Sequence, residues 1–123
     1  MKVYPSSVPL KSAVREQTVE VHQIENVTVT HYDCCDICCG KHDGITASGR
    51  QAEPYRTIAV PPEIPLGAKV FVSYPDGHIQ EYRADDRGGA IQGAHVDICV
   101  TTHQEALDLG VITGATVYWY TLD

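Results

Sequence analysis

Two carboxylates in one short stretch carry the clearest chemical possibility in this sequence. The run Ala84-Asp-Asp-Arg-Gly-Gly-Ala-Ile-Gln-Gly-Ala-His-Val-Asp97 leaves one strand pattern, passes a glycine pair and enters a second apolar strand. Asp97 lies between Val96 and Ile98, where a carboxyl is expected to be partly buried. Burial raises a carboxyl pKa, and a second carboxylate nearby raises it further. An acid kept protonated near neutral pH can protonate a glycosidic oxygen. Asp97 and Asp86 are therefore the candidate acidic pair, and Gly88 and Gly89 would let the backbone approach a ligand closely. The same spacing also fits a plainer arrangement, in which Asp85 and Asp86 form a turn and Asp97 caps the next element.

The cysteines are the second concentration of chemistry. Four fall within six residues, Cys34, Cys35, Cys38 and Cys39, with His31 and His42 close by. Interleaved Cys-x-x-Cys spacing can bind zinc, but a structural zinc site normally draws a second ligand pair from elsewhere, and no second Cys-x-x-Cys exists. Disulfides or free structural thiols remain open, and redox catalysis lacks its usual βαβ setting. Cys99 stands alone in an apolar strand and reads as a small buried hydrophobe. An odd count of five leaves at least one thiol unpaired within the chain.

Gly44-Ile-Thr-Ala-Ser-Gly49 is too loose for a phosphate loop, having no Gly-Lys-Ser/Thr. The hydroxyls of Thr46 and Ser48 could bond a sugar, or the segment could be an irregular turn. In Tyr118-Trp119-Tyr120 the period of a strand sets Trp119 against the tyrosines, with Trp119 read as core. The six histidines form no His-Glu-x-x-His, and Gly-x-Ser-x-Gly is also missing, so zinc-protease and serine-hydrolase chemistry have no motif support. A Cys–His peptidase needs only that the two side chains meet in space.

These groups must be positioned by short elements. Valines alternate with polar residues from Val19 to His31, a strand pattern. Residues 33–56 form a long irregular segment. Strands are expected at Thr57–Val60, Ala68–Tyr74 and Ile79–Ala84, the last two joined by an Asp76-Gly77 turn. A further strand spans Val96–Val100, and Thr116–Leu122 is the last. Between them Thr102-x-x-Glu105 is a capping box that should start a short helix, with Gly110 ending it. Many short strands and one helix indicate a small β-barrel.

The chain has 123 residues, 43% of them hydrophobic, enough for one domain and one core. Its formal charge of −7 argues against nucleic acid and against an anionic membrane surface. No apolar run approaches the ~20 residues of a membrane-spanning helix. Met1–Leu10 lacks the apolar centre of a secretory signal, so an exported protein would need another route or a leader already removed.

Several motifs occur together in order: Thr30-x-Tyr32, Cys35-x-x-Cys38-Cys39-Gly40, Gly44-Ile-Thr-Ala-Ser-Gly49, Ile58-Ala-Val60, Ile64-Pro-Leu-Gly67, Ala84-Asp-Asp-x-Gly-Gly-Ala-Ile-x-Gly93, Val96-Asp97 and His103-Gln-Glu-Ala-Leu107. Over about residues 27–121 the chain closely resembles the three-aspartate, or 3D, domain. That domain occurs in MltA-type lytic transglycosylases, in stationary-phase survival proteins related to resuscitation factors, and in phage and cell-wall proteins. The resemblance implies a mainly β fold, a small double-psi β-barrel with one or two short helices over residues 25–123. Residues 1–24 would be a tail, a linker or an extra strand. It implies cleavage of the β-1,4 bond between N-acetylmuramic acid and N-acetylglucosamine in peptidoglycan, giving a 1,6-anhydro sugar, with no cofactor. The bacterial cell envelope or a secreted or phage-encoded setting follows. Asp97 falls on the family's catalytic aspartate and Asp86 on the Asp of Asp-x-Gly-Gly. Tyr32, Thr46, Ser48, Gly88, Gly89 and Gln92 are expected to contact substrate. Two departures stand out. Pro61 occupies the place of the family's first aspartate after Ile-Ala-Val, and Gln92 replaces the usual lysine. Both leave room for an alternative, a barrel that binds cell-wall glycan without cutting it.

Overall fold

The computed structural model describes residues 19–34 and 45–122. Cys35, Cys38, Cys39, His42 and Gly44 lie outside them. Six strands form a closed barrel: β1 (Val19–Asp33), β2 (Thr57–Ala59), β3 (Lys69–Ser73), β4 (Ile79–Asp86), β5 (His95–Val100) and β6 (Ile112–Leu122). Their order around the barrel is β1-β5-β2-β4-β3-β6. The pairs β1/β5 and β2/β4 are parallel, and the other four contacts are antiparallel. Two parallel pairs inside a six-stranded barrel are the double-psi arrangement, so the expected fold class is the one found.

Period-two alternation explains how the strands sort their side chains. Val27 and Val29 of β1, Ile58 of β2, Val70 and Val72 of β3, Val96, Ile98 and Val100 of β5, and Val117 of β6 all enter one core. β-branched side chains dominate it, as suits pleated strands. Trp119 joins that core, stacked at 5.2 Å on His22. Tyr74 and Tyr82 are buried beside it, and their hydroxyls satisfy each other at 2.6 Å.

One helix is present among the described residues, α1 (His103–Leu109). Thr102 Oγ1 accepts from the Glu105 amide at 3.1 Å, and Glu105 Oε1 reaches back to the Thr101 amide at 3.0 Å. That is the expected capping box, with the reverse bond one residue further out. Gly110 ends the helix at φ 64°, a conformation that favours glycine. The Asp76-Gly77 turn joins β3 to β4, with Gly77 at φ 101°.

β6 is longer than Thr116–Leu122, starting at Ile112. The reason is β1, which pairs with β6 from Val19↔Leu122 to Val29↔Ile112. Irregularities between Ile24 and Val27 and between Val27 and Val29 let so long a pairing bend around the barrel. No helix among the described residues is long and apolar enough to cross a membrane.

Candidate functional site

Alternation that sends Val96 and Ile98 inward sends Asp97 to the outer face of the barrel. The same rule on β2 turns Ala59 outward between Ile58 and Val60. Ala59 pairs with Asp97 of β5 on one side and with Asp86 of β4 on the other. The two aspartates therefore flank one alanine, two inter-strand steps apart, or roughly 10 Å between backbones. All three line a cleft of about 630 Å³. Ala59 forms part of its floor, and the shortness of that side chain leaves the space between the carboxyls open. Ala59→Leu should keep the barrel, as far-ultraviolet circular dichroism would show, but fill the space between the carboxyls.

The rest of the cleft comes from elements distant in sequence. β1 supplies His31, Tyr32 and Asp33, followed by Cys34; the segment after residue 44 supplies Ile45 and Thr46; α1 supplies His103, Ala106 and Leu107. His31 Nδ1 donates to the Gly110 carbonyl at 2.8 Å, which fixes the ring against the end of the helix.

The two carboxyls are held differently. Asp97 Oδ1 accepts from the Thr30 hydroxyl at 2.9 Å. Burial pushes the Asp97 carboxyl above the ordinary aspartate range. The Thr30 hydrogen bond and the nearby His95 and His31 pull it back, while the Asp86 charge adds to the rise. Asp86 accepts three hydrogen bonds: from the Ala47 and Arg87 amides at 3.1 and 3.0 Å, and from the Tyr32 hydroxyl at 3.2 Å. The two carboxyls thus sit in different settings, Asp97 with its proton held to higher pH by burial and Asp86 bonded to three donors.

Asp85, the neighbour of this pair, has another task. It is fully buried, ion-paired with Arg83, and accepts from Ser48 Oγ at 2.9 Å. Its carbonyl takes the Ser48 amide at 2.8 Å. Thr46 Oγ1 donates to the Arg50 carbonyl at 2.8 Å and lies 3.1 Å from Ser48 Oγ. These bonds dock the 45–50 loop so that the Ala47 amide meets Asp86. Asp85→Ala should cost roughly 1–3 kcal/mol, because Ser48 Oγ loses its buried acceptor and Arg83 keeps only the more distant Glu53. The midpoint of urea unfolding reads this.

The residues singled out by sequence fall in several places. Asp97, Asp86, Tyr32, Thr46 and Gly88 line the cleft; Ser48 is half-buried behind it in the loop anchor. Gly89 and Gln92 are exposed on the turn after β4, off the cleft wall. A Cβ on Gly88 would meet Ile91 Cγ1 at 3.0 Å, so packing against Ile91 accounts for glycine there. Pro61 is buried, and Arg87 donates to the Val60 and Pro61 carbonyls. Cys99 is fully buried as expected, but it is not a lone thiol: it is bonded to Cys34, with Cα atoms 5.7 Å apart. β1 and β5 run parallel in register, with Tyr32 opposite Cys99, which brings the two cysteines together. Among the described residues no group of three or more His, Cys, Asp or Glu side chains could hold a metal ion. Thr30, His95 and Ala59 were not singled out by sequence as site residues. The alternation of Val27 and Val29 with Thr28, Thr30 and Tyr32 was the signal that could have placed Thr30 beside Tyr32 on the outer face.

Residues 56–122 match the family described as the 3D domain. The cell wall-binding protein YocH of Bacillus subtilis (strain 168) is 40% identical over 91 residues, which are 71% of this chain and 29% of YocH. The chain thus spans under a third of that relative. Among solved structures, Streptomyces papain inhibitor superposes with a TM-score of 0.56 at 20% identity, over 81% of this chain and 94% of that one. MltA from E. coli gives 0.53 at 22% identity, over 63% and 27%. A Clavibacter michiganensis expansin mutant in complex with cellohexaose gives 0.52 at 17%, over 83% and 50%. At these identities the structural likenesses establish the barrel fold.

Proposed function

This chain belongs to the 3D-domain family, and from that membership we propose that it acts on bacterial cell-wall peptidoglycan as a lytic transglycosylase. The observation that carries the proposal is the pairing of Asp97 and Asp86 on either side of Ala59, in a cleft wide enough for sugar rings. Asp97, whose carboxyl burial pushes above the ordinary range, gives its proton to the glycosidic oxygen between N-acetylmuramic acid and N-acetylglucosamine. The C–O bond breaks and the muramic ring gains oxocarbenium character. Asp97, now a carboxylate, takes the proton of the muramic 6-hydroxyl, whose oxygen closes on the anomeric carbon. The product is a 1,6-anhydro sugar, no water is consumed, and Asp97 ends as it began. Asp86, oriented by its three donors, offsets the positive charge of the transition state. Tyr32 and Thr46 sit where a sugar would lie.

The Cys34–Cys99 bond supports a setting outside the cytoplasm, where disulfides persist, and hence the cell envelope or the medium. A second reading has its own support. Pro61 stands where the resemblance calls for a carboxylate, and Arg87 occupies the carbonyls beside it. On that reading the cleft retains glycan without cutting it; YocH, the relative matched, is named a cell wall-binding protein. Incubation with purified peptidoglycan, followed by mass analysis of the soluble fraction, separates the two. Muropeptides lighter by one water than a hydrolase would release support the transglycosylase. Retention of the protein on the wall with no release sinks that reading and leaves the binder.

A further inference from the structure

Three side chains beside the cleft are joined in a line: His95, Thr30 and Asp97. His95 Nδ1 lies 3.2 Å from the Ala90 carbonyl, which can only accept, so a bond there fixes the ring proton on Nδ1. His95 Nε2 lies 2.9 Å from Thr30 Oγ1, and Thr30 Oγ1 lies 2.9 Å from Asp97 Oδ1. The Val96 carbonyl, at 3.3 Å, is a weaker acceptor for the same hydroxyl. The hydroxyl has one proton to give. It cannot serve Nε2 and the carboxylate together.

Two arrangements keep every bond. In one, Asp97 is protonated and donates to Thr30 Oγ1, and Thr30 donates to the bare Nε2 of a neutral ring. In the other, Asp97 is a carboxylate and accepts from Thr30, and Thr30 accepts from Nε2–H of an imidazolium. The two exchange when Asp97 passes its proton to Thr30 Oγ1 as Thr30 passes its own to His95 Nε2, with no proton gained or lost. A carboxylate beside a neutral Nδ1–H ring would set Nε2 and Thr30 Oγ1 lone pair against lone pair, at the cost of one hydrogen bond.

We propose that His95 is a positioning residue, which sets the direction of the Thr30 hydroxyl and through it whether Asp97 is held as an acid or as a carboxylate. His95 is half-buried and reaches the solvent side of the wall, whereas Asp97 faces the cleft. The register brings them together: His95 pairs with Thr28 and Asp97 with Thr30 across the parallel β1/β5 ladder, so all four point to one face. Among the described residues, the other titratable or charged groups lining the cleft with Asp97 are His31, Tyr32 and Asp33 from β1, Asp86 and Arg87 at the end of β4, and His103 from α1, which lies 3.9 Å from Asp33; β2 contributes the neutral Ala59. Thr30 is bonded to both His95 and Asp97. The role in bond cleavage rests on the transglycosylase reading; the relay itself does not.

NMR of the full chain tests this without substrate. The neutral His95 ring should be the Nδ1–H tautomer; an Nε2–H tautomer overturns the proposal. The Asp97 carboxyl should titrate at higher pH in His95→Gln, which removes the cation, and in Thr30→Val, which removes the donor. Thr30→Ser should restore the wild-type midpoint. The double variant should shift no further than Thr30→Val alone, since both changes cut one line. Additive shifts would mean that His95 acts only as a charge through space, and would overturn the relay. Near-ultraviolet circular dichroism identifies any variant whose fold has changed; if Thr30→Val is lost in this way, the His95→Gln midpoint and the tautomer decide. Failure of these shifts leaves the transglycosylase reading standing. Failure to cut glycan leaves the relay standing.

Discussion

Asp97→Asn should lower glycan release roughly 100- to 10,000-fold, the usual contribution of a positioned acid–base group, while making the folded protein more stable at neutral pH. Asparagine matches the shape of aspartate and can still accept from Thr30 Oγ1, so the cleft should keep its form. What it lacks is the proton to give. The stability gain follows from burial. In the unfolded chain an aspartate titrates near pH ~4, and in the fold the proton is held to higher pH. Between the two values the folded state binds more protons than the unfolded one, so stability falls as pH rises. Above the folded value the penalty is complete. Asparagine carries no such penalty. Its melting temperature should match the wild type well below pH ~4 and exceed it progressively above. Calorimetry over that range, beside a muropeptide assay, reads both effects. A variant that still releases anhydro-muropeptides at the wild-type rate would remove Asp97 from the mechanism. In the wild type, release should decline as pH rises through the same window, because the acid must start protonated.

The second large effect is expected at Cys99. Its bond to Cys34 closes a loop across 65 positions of sequence. Loop-closure entropy for that length amounts to roughly 4 kcal/mol, within the 2–5 kcal/mol typical of a native disulfide in a small domain. For a domain of this size that is a large part of the total stability. Cys99→Ala should therefore move the urea midpoint down by a corresponding amount, and reduced wild-type protein should show a loss of similar size. The site should feel it as well. Cys34 lines the cleft next to Asp33, the Cys34 amide donates to the Val100 carbonyl at 3.2 Å, and the Tyr55 amide donates to the Cys99 carbonyl at 2.7 Å. Untying the cysteines loosens one wall of the cleft, so glycan retention should fall on reduction. Unchanged unfolding midpoints in Cys99→Ala would show that this bond does not form in solution.

Much of the barrel was legible because its cues are local. The alternation around Val96 and Ile98 marked a strand and set Asp97 apart from the core. Thr102 and Glu105 marked the start of α1, and Asp76-Gly77 the turn after β3. What was not legible depends on which strands become neighbours. Nothing near Ile58-Ala59-Val60 announces that β2 runs between β4 and β5, so the role of Ala59 as floor between two carboxyls appears only with the strand order. Cys99 looked solitary because its partner is brought to it by the parallel β1/β5 register. β6 begins four residues earlier than its own composition suggests because β1 is there to pair with it. The Asp-x-Gly-Gly pattern singles out Asp86, but what its neighbour Asp85 does is not written in the sequence. The irregularity between Ile58 and Ala59 in the β2/β4 ladder separates them, one into an ion pair with Arg83 and one into the cleft.

The closure of the barrel also sets an order of events in time. β1 finds its neighbours in β5 and β6, the two strands of the barrel that come latest in sequence. Until they arrive, β1 has an unsatisfied edge on each side, and the carboxyl of Asp97 has no Thr30 to face. Non-local pairing of this kind folds slowly and leaves strand edges open to other chains meanwhile. A chain stopped before Ile112 should thus lack the β1/β6 pairing and stay sticky, and the last strand is what closes the barrel around its cleft.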